Sequence, residues 1–345
     1  MNDVTYRQIA RLAGVSVAAV SLALRNRPGV SAATRQRIRD IVAQTGYRPN
    51  PLVTALMTRH RVHGTRRIRA IIALLTHENL DPSRALHSTP IEFEEGARRA
   101  CEEMGFALEV FWWKDFKENA RRLFSTLRAR SSPGVIFHGG EVPSWCRDGW
   151  DTFALAAVGN RRRNVSSDFA CADHYGNIIS ALHELSRRGY RRCGLAMASA
   201  LMEGQNYRYV SAYHGWHIQA GRRSLPPFLW KSWDPAGFRR WIRNYRPEVV
   251  IAEHHAPLEE LRKMGCQIPG EIGFVHLSIE GHWEGFAGIR QNNIEAGAAA
   301  AHIVIDRINH NTYGPPQHPR AILVEGEWIS GNSIRDNGDN YIVPR

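Results

Sequence analysis

The sequence predicts a small all-α headpiece that contains a helix-turn-helix, then a hinge helix, and then a C-terminal α/β body of two lobes with parallel sheets. A turn of small residues separates two helical patterns near the start of the chain, at residues 13–26. From residue 69 onward, strand patterns alternate with helix patterns, as in parallel sheets joined by crossover helices. The length of 345 residues exceeds one ordinary hydrophobic core, so two or three domains are expected.

Capping signals mark the first and third helices of the headpiece. Thr5 and Gln8 have the spacing of a capping box, and Gly14 can adopt the positive φ of a tight turn. Ser31 is expected to cap a third helix over residues 32–44, which ends at Gly46. The pattern therefore predicts three short helices within the first 46 residues.

The second helix is the element around which the headpiece is organised. Ser16 is expected to cap it, with Val20 and either Ala23 or Leu24 pointing inward. The residues left for its outer face are Val17, Ala18, Ser21 and Leu22. Two short helices about three residues apart form the unit that docks in the major groove of DNA. Three amphipathic helices that only bury a shared apolar strip would show the same spacing.

The distribution of charge decides between these alternatives. Residues 1–70 contain thirteen arginines, no lysine and two acidic residues, whereas the other 275 residues have a balance of only +1. A merely solvated face would carry both signs. A basic excess confined to one small module indicates that the module neutralises phosphates, and hence that its partner is double-stranded DNA.

A short helix is predicted after the headpiece. Pro49 forces an extended segment, and Asn50 followed by Pro51 is a helix-start signal for residues 52–58. Two helical turns are marginally stable alone, which suits a segment that folds when two copies meet on DNA. A plain flexible linker is the alternative.

The predicted domains follow from these patterns. They are a headpiece at 1–48, a hinge helix and linker at 49–65, and a two-lobed body at 66–345. The first lobe is expected over about 66–159 and 291–322, and the second over about 161–289 and 327–345. The chain would then cross between lobes at 159–161, 288–291 and 322–327.

Several classes of protein are disfavoured by the sequence. No apolar run is long enough to span a bilayer, and no secretory signal opens the chain, so a cytoplasmic protein is expected. Five scattered cysteines without a CxxC pair argue against disulfides and structural zinc. HGWH and the histidine pair at 254–255 lack the spacing of a metal site. No catalytic motif nominates a nucleophile or an acid–base pair, so we expect neither an enzyme nor a cofactor.

These motifs carry a family resemblance. The stretch TYRQIARLAGVSVAAVSLALRNRPGVSAATRQRI, followed by GYRPNPLVTAL, resembles the DNA-binding headpiece and hinge of the lactose-repressor/galactose-repressor family of bacterial transcription regulators. The later phrases GYRRCGL, AGIRQ and EGEWISGNSIR loosely fit the periplasmic-binding-protein-like effector domain of that family. The resemblance implies a homodimer that binds operator DNA and a small-molecule effector.

The DNA contacts are assigned by chemistry and by the resemblance. Base reading is expected from the outer face of the second helix, while phosphate contacts set the register. The expected phosphate-binding residues are Thr5, Arg7, Ser16, Arg25, Asn26, Ser31, Tyr47 and Asn50. In the family, a leucine of the hinge helix wedges into the minor groove, which implies that role for Leu56, with Val53 beside it. The family commonly has a long polar or basic residue at the position of Leu22, so contacts to thymine methyls are implied here.

An effector site is expected in the cleft between the lobes, beyond the carboxyl ends of the parallel strands. The candidate residues are His77, Asn160, Tyr175, Arg208, His276, Ser278, Glu280 and Gln291. Arg208 resembles an arginine that the family places after the first strand of the second lobe. Ser278 stands where the family usually has an acidic residue, which argues against a simple sugar, and the expected ligand is a sugar or a sugar derivative. The alternatives are a non-specific architectural DNA-binding protein and a sugar-binding protein without a regulatory role.

Overall fold

A computed structural model describes residues 6–24, 29–45, 70–78, 80, 89–160, 164–279, 283 and 285–335. The predicted hinge helix at 52–58 and the capping-box residue Thr5 lie outside these residues.

The headpiece is a bundle of three helices, as predicted. They are α1 (Tyr6–Ala13), α2 (Val17–Leu24) and α3 (Ala32–Thr45). Ile9, Val20, Ala23 and Ile38 are fully buried where the three helices meet. Gly14 has a φ of +62°, which confirms its place in the turn between α1 and α2.

The first lobe is built on a six-stranded parallel sheet. Its strands, numbered along the chain, are β1 (Ile71–Thr76), β2 (Ala107–Trp112), β3 (Gly134–His138), β4 (Ala154–Val158), β5 (Asp168–Ala172) and β11 (Ala321–Val324). The spatial order is β11-β5-β4-β3-β1-β2. The sheet is flanked by helices α4 (Thr89–Glu103), α5 (Ala120–Ala129) and α11 (Asn293–Asn309). Buried aliphatic runs such as IIALLT and ALAAV fit strands that are covered on both faces.

The second lobe repeats this arrangement. Its strands are β6 (Cys193–Ala198), β7 (Phe228–Trp230), β8 (Val249–Ala252), β9 (Gly273–His276), β10 (Ala287–Arg290) and β12 (Glu327–Ile329). The spatial order is β12-β10-β9-β8-β6-β7, with only β12 antiparallel to its neighbour. The helices are α6 (His174–Arg187), α7 (Ser199–Gly204), α8 (Arg208–Gln219), α9 (Pro235–Tyr245) and α10 (Ala256–Lys263). The two-lobed α/β prediction is confirmed.

The first crossing between the lobes differs from the prediction at 159–161. Strand β5 pairs with β4 and β11 in the first sheet, so the chain passes to the second lobe only after Ala172. A buried ion pair holds β5 there, because Asp168 Oδ2 lies 3.2 Å from Arg307 Nη1 on α11, and Asp168 Oδ1 accepts the backbone N–H of Arg320 at 2.7 Å. The boundaries near 159 and 161 are therefore wrong. The other two crossings lie between β10 and α11 and between β11 and β12, close to the predicted places.

Two glycines bring α4 and α11 into backbone contact in the first lobe. A Cβ on Gly96 would overlap the carbonyl oxygen of Ile294, and a Cβ on Gly297 would overlap that of Phe93. The ring of Phe93 in turn meets His138 edge-on at 5.7 Å, at the carboxyl end of β3. The close helix pair therefore sets the position of side chains at the cleft.

Gly297→Ala should lower the free energy of unfolding by about 3 kcal/mol, because the new methyl group must displace a backbone carbonyl in a packed core. Urea unfolding followed by circular dichroism measures the change. Gly215→Ala is the matched control: its Cβ would meet only the Tyr175 hydroxyl, at 3.8 Å, so the variant should be stabilised by about 0.5–1 kcal/mol. Equal stability of the two variants would contradict the proposed close packing.

Candidate functional site

The helix-turn-helix presents the capping residues that the sequence predicts. Ser16 Oγ accepts the backbone N–H of Ala19 at 3.1 Å, and Ser31 Oγ accepts that of Thr34 at 3.2 Å. Both serines are exposed. A capping serine uses its oxygen as an acceptor, so its hydroxyl hydrogen can still be donated to a phosphate.

The outer face of α2 is apolar at the two positions whose side chains are described. Val17 is 41% exposed at the start of the helix. Leu22 is half-buried, and its Cδ1 lies 3.5 Å from the position of a Cβ on Gly29. Ala18 and Ser21 lie on the same helix, and their side chains are outside the description. So are the side chain of Arg7 and all of Thr5, Arg25, Asn26, Tyr47, Asn50, Val53, Leu56 and Glu280.

The first lobe contributes an aromatic pair to the cleft. His77 follows β1, and its ring lies 5.7 Å from that of Trp113. Its Nε2 is 3.1 Å from the carbonyl oxygen of Glu141, while the side chain remains exposed. Beneath it, Thr76 Oγ1 and His138 Nδ1 are buried at 3.1 Å from each other. These groups lie at the carboxyl ends of β1 and β3, the edge where parallel sheets bind ligands.

The second lobe contributes a stacked pair at the carboxyl end of β9. The rings of His276 and Trp283 are 3.8 Å apart and nearly parallel. His276 Nδ1 lies 2.6 Å from the carbonyl oxygen of Ser278 and 3.2 Å from the backbone nitrogen of the same residue. Of the predicted residues, His276 and Ser278 are thus adjacent, but His276 is buried and packs mainly against its own lobe.

Two side chains connect the lobes directly. Asn160 follows β4 of the first lobe, and its amide nitrogen, oriented toward the carbonyl oxygens of Gly159 and Gly204, lies 3.0 Å from each. Arg208 begins α8 of the second lobe, and its Nη1 donates to the Cys171 sulfur at 3.1 Å. Its guanidinium also lies over the ring of Phe169, 5.7 Å from the centroid. Cys171 and Phe169 belong to β5, so both predicted residues span from one lobe to the other.

A buried polar network lies behind Arg208, and the sequence predicts only one of its members, Gln291. The Tyr209 hydroxyl lies 3.0 Å from His174 Nδ1 and accepts a hydrogen bond from Gln291 Nε2 at 3.1 Å. Nearby, Gln205 Nε2 donates to Glu253 Oε2 at 3.3 Å. Gln205 lies three residues before Arg208, and Glu253 directly follows β8, but neither position has a local spacing that distinguishes it from a surface residue.

Tyr175 is the predicted effector residue that the structure does not bring to this group. The side chain is 50% exposed, and its hydroxyl lies beside Gly215, about two helical turns along α8 from Arg208. It therefore covers the outside of α8.

Two negative findings apply to the part of the chain that is described. No three histidine, cysteine or carboxylate side chains converge as a metal ion would require. No helix there has the length and apolar character needed to cross a membrane.

The fold and the two sites define a class: a helix-turn-helix domain joined to a two-lobed α/β body with polar groups across its cleft. Comparisons agree with this class. The family model described as "Bacterial regulatory proteins, lacI family" matches residues 5–50. The transcriptional regulator PtxS of Pseudomonas aeruginosa is 25% identical, with 97% of each chain covered. The regulator GalS of Salmonella typhimurium is 49% identical over 55 residues, which cover 16% of each chain.

Solved structures share the fold. A transcriptional regulator CelR–cellobiose complex has a TM-score of 0.57 at 20% identity, covering 96% of this chain and 99% of that one. The lac repressor dimer bound to operator and the anti-inducer ONPF has a TM-score of 0.57 at 13% identity, with the same coverage. Residues 5–50 therefore form a DNA-binding domain of the LacI type, and the whole chain is similar to bacterial transcriptional regulators that share this domain and this fold.

The network around Tyr209 predicts a pH dependence of stability. Burial, together with the charge of Arg208, lowers the pKa of His174 to about 3. The unfolded histidine binds a proton near pH 6.5, whereas the folded one stays neutral until much lower pH, so acid favours the unfolded state. The free energy of unfolding should therefore fall by about 1.4 kcal/mol for each pH unit between 6.5 and 3 from this residue alone.

Urea unfolding at several pH values measures this slope, and His174→Gln should flatten it. The matched control variant is His302→Gln, which also removes one histidine, because His302 is exposed. If both variants keep the slope of the wild type, His174 is not the group responsible.

Proposed function

We propose that this protein is a homodimeric repressor that recognises a near-palindromic operator. A small carbohydrate derivative bound between its lobes would control whether the protein binds or releases that operator. The observation that supports effector control most directly is Arg208, which reaches from α8 of the second lobe to the Cys171 sulfur of the first. A ligand that accepts hydrogen bonds from this guanidinium would compete with that contact and so bias the angle between the lobes.

Dimerisation is proposed from the size of the reading surface. One eight-residue helix, α2, makes too few base contacts for specificity, and two half-sites supply the rest. A change in the angle between lobes would then alter the separation of two headpieces and two hinge segments. As a chromosomal regulator, the protein would act in the cytoplasm.

The ligand class is supported by the chemistry of the cleft. The rings of Trp113 and His77 lie at the edge of the first lobe's sheet where ligands of parallel sheets bind, and aromatic faces suit the C–H surfaces of sugars. The relative CelR was solved with cellobiose. Arginine and amide groups at Arg208 and Asn160 suit hydroxyl or carboxylate oxygens. We propose no enzymatic activity, since the relatives named above are all regulators.

Base reading is proposed to rest on apolar contacts. Val17 is exposed at the start of α2, and neither Val17 nor Leu22 can form the bidentate hydrogen bonds that arginine makes to guanine. Contact with thymine methyl groups is the specific interaction open to them. A non-specific architectural protein is the second candidate, and selection of bound duplexes from a random pool separates the two, because only a repressor yields a recurrent motif.

Leu56→Ala should weaken operator binding about 30-fold, since a buried leucine contributes about 2 kcal/mol, while binding to random duplex changes little. Gel shifts at fixed salt concentration measure both affinities. Leu12→Ala is a matched control, because Leu12 is 63% exposed on α1. An equal loss on both duplexes would remove the minor-groove wedge from the proposal.

Arg208→Ala should lower ligand affinity about 100-fold, because a charge-assisted pair of hydrogen bonds is lost. A thermal-shift screen of sugars and sugar acids identifies the ligand, and calorimetry with that compound measures its affinity. Arg223→Ala, at the far edge of the second lobe, serves as the control. Unchanged affinity in Arg208→Ala would exclude the cleft as the site.

A further inference from the structure

The second lobe carries an exposed cluster of arginines at the edge opposite the cleft. Strands β6, β8 and β9 are parallel, so their amino ends share one edge, and the carboxyl ends of helices α6, α8 and α9 arrive at the same edge. We call this cluster the basic pole. It consists of Arg191, Arg192, Arg223, Arg243, Arg246 and Arg335, all exposed.

Short contacts fix the backbone of the basic pole. Glu248 Oε2 accepts the backbone N–H groups of Arg191 and Arg192 at 2.7 and 2.9 Å. The guanidinium of Arg335 lies 4.8 Å from the centroid of the Tyr190 ring, and its backbone N–H donates to the Tyr190 hydroxyl at 2.8 Å. On the other side of the edge, Trp241 Nε1 donates to the Pro226 carbonyl at 2.7 Å, which ties the loop after α8 to α9. The arginines thus project from an ordered surface.

Acidic groups leave most of this charge uncompensated. Between residues 184 and 248 the sequence has twelve basic and four acidic residues, and one of the four, Glu184, pairs with Arg187 and Arg188 outside the basic pole. None of the six arginines of the basic pole forms an ion pair with another described residue. Glu248 lies among them with its pKa lowered: burial would raise it, but the backbone N–H bonds of Arg192 and Arg191 and the charges of Arg192 and Arg335 outweigh burial. The ten residues after Arg335 add two aspartates and one arginine, too few to balance the cluster.

Stabilisation of the carboxyl ends of helices by positive charge explains only part of the basic pole. A cation in the last turn of a helix is stabilised by the macrodipole, which accounts for Arg243 on α9. It also accounts for Arg246, the C-cap residue of α9, whereas Arg191, Arg192 and Arg223 lie beyond the helix ends and gain little from this effect. All six members are arginine, whose planar fork binds phosphate with two parallel hydrogen bonds.

We propose that the basic pole is a second DNA-contact surface, which holds the phosphate backbone of a duplex without reading its sequence. The headpiece joins the body at the amino end of β1, which is the edge of the first lobe away from the cleft. The basic pole lies at the corresponding edge of the second lobe, so it is at the opposite end of the two-lobed body from the point where the headpiece is attached. A regulator held on its operator thereby presents the pole to another segment of the same DNA.

The other class of polyanion, an acidic protein, is less favoured by the position of the pole. Once the headpieces are bound, neighbouring duplex is tethered to the complex, and its effective concentration far exceeds that of a free partner. Several weak phosphate contacts are then enough for binding. This inference depends on the proposed function for one step only, which is the initial binding of the headpieces to operator DNA.

The test uses the full-length protein on immobilised operator duplex, with capture of a labelled operator-free duplex as the readout. The pole variant is Arg223→Gln, Arg243→Gln and Arg246→Gln combined. The control variant makes the same change of charge in the first lobe, at the exposed Arg121, Arg122 and Arg147. In 50 mM salt, we expect at least a 10-fold loss of capture for the pole variant, little loss for the control, and unchanged operator affinity for both.

Equal capture by the two variants, or an equal loss in both, would overturn the proposal. Displacement of the second duplex by polyglutamate at equal charge concentration would reassign the pole to an acidic protein partner. If the wild-type protein shows no operator preference, the proposed function fails separately. The number of random duplexes bound per protein then tests the pole, because that number should still be lower in the pole variant than in the control.

Discussion

A single hydroxyl group, that of Tyr209, joins two of the three chain crossings between the lobes. It accepts a hydrogen bond from Gln291, at the second crossing, and lies within hydrogen-bond distance of His174, the first residue after the first crossing. The phenol has one hydrogen to donate, and a neutral His174 can accept it at Nδ1. The low pKa of His174 keeps the ring in this state. Asn177 extends the connection to the third crossing by accepting the backbone N–H of Gly326 at 3.0 Å.

This buried network connects Arg208 at the cleft with the crossings between the lobes. Arg208 directly precedes Tyr209 on α8, so any shift of its guanidinium away from Cys171 acts on the residue whose hydroxyl holds the crossings together. Asn206 and Tyr207, just before it, both have positive φ, an unfavourable conformation for residues with a Cβ that persists only when surrounding contacts hold it. The start of α8 is therefore held by its surrounding contacts, so the proposed ligand, by changing the contact of Arg208, would act on a segment whose conformation depends on those contacts.

The sequence was sufficient where the determining contacts are local. Gly14, Ser16 and Ser31 act within four residues of their own position, and the headpiece prediction is confirmed at each of them. The first crossing was wrong because β5 is held in place by Asp168, whose partners Arg307 and Arg320 are more than a hundred residues away. No local period marks a five-residue strand of this kind. The cleft shows the same limit: the sequence predicts a role for Tyr175, which is exposed, whereas the tyrosine that contacts His174 and Gln291 is the buried Tyr209, and burial depends on tertiary packing.

Charge separates the roles of the two ends of the molecule. The first 70 residues carry a large arginine excess, and the remainder is nearly neutral, so at distances beyond the Debye length of about 8 Å only the headpiece attracts DNA strongly. The basic pole belongs to the nearly neutral part, where carboxylates elsewhere in the body cancel its field at long range. Its arginines act only on phosphates that are already close. Recruitment to DNA therefore falls to the headpiece, while any contact at the far edge of the second lobe depends on the headpiece being bound first.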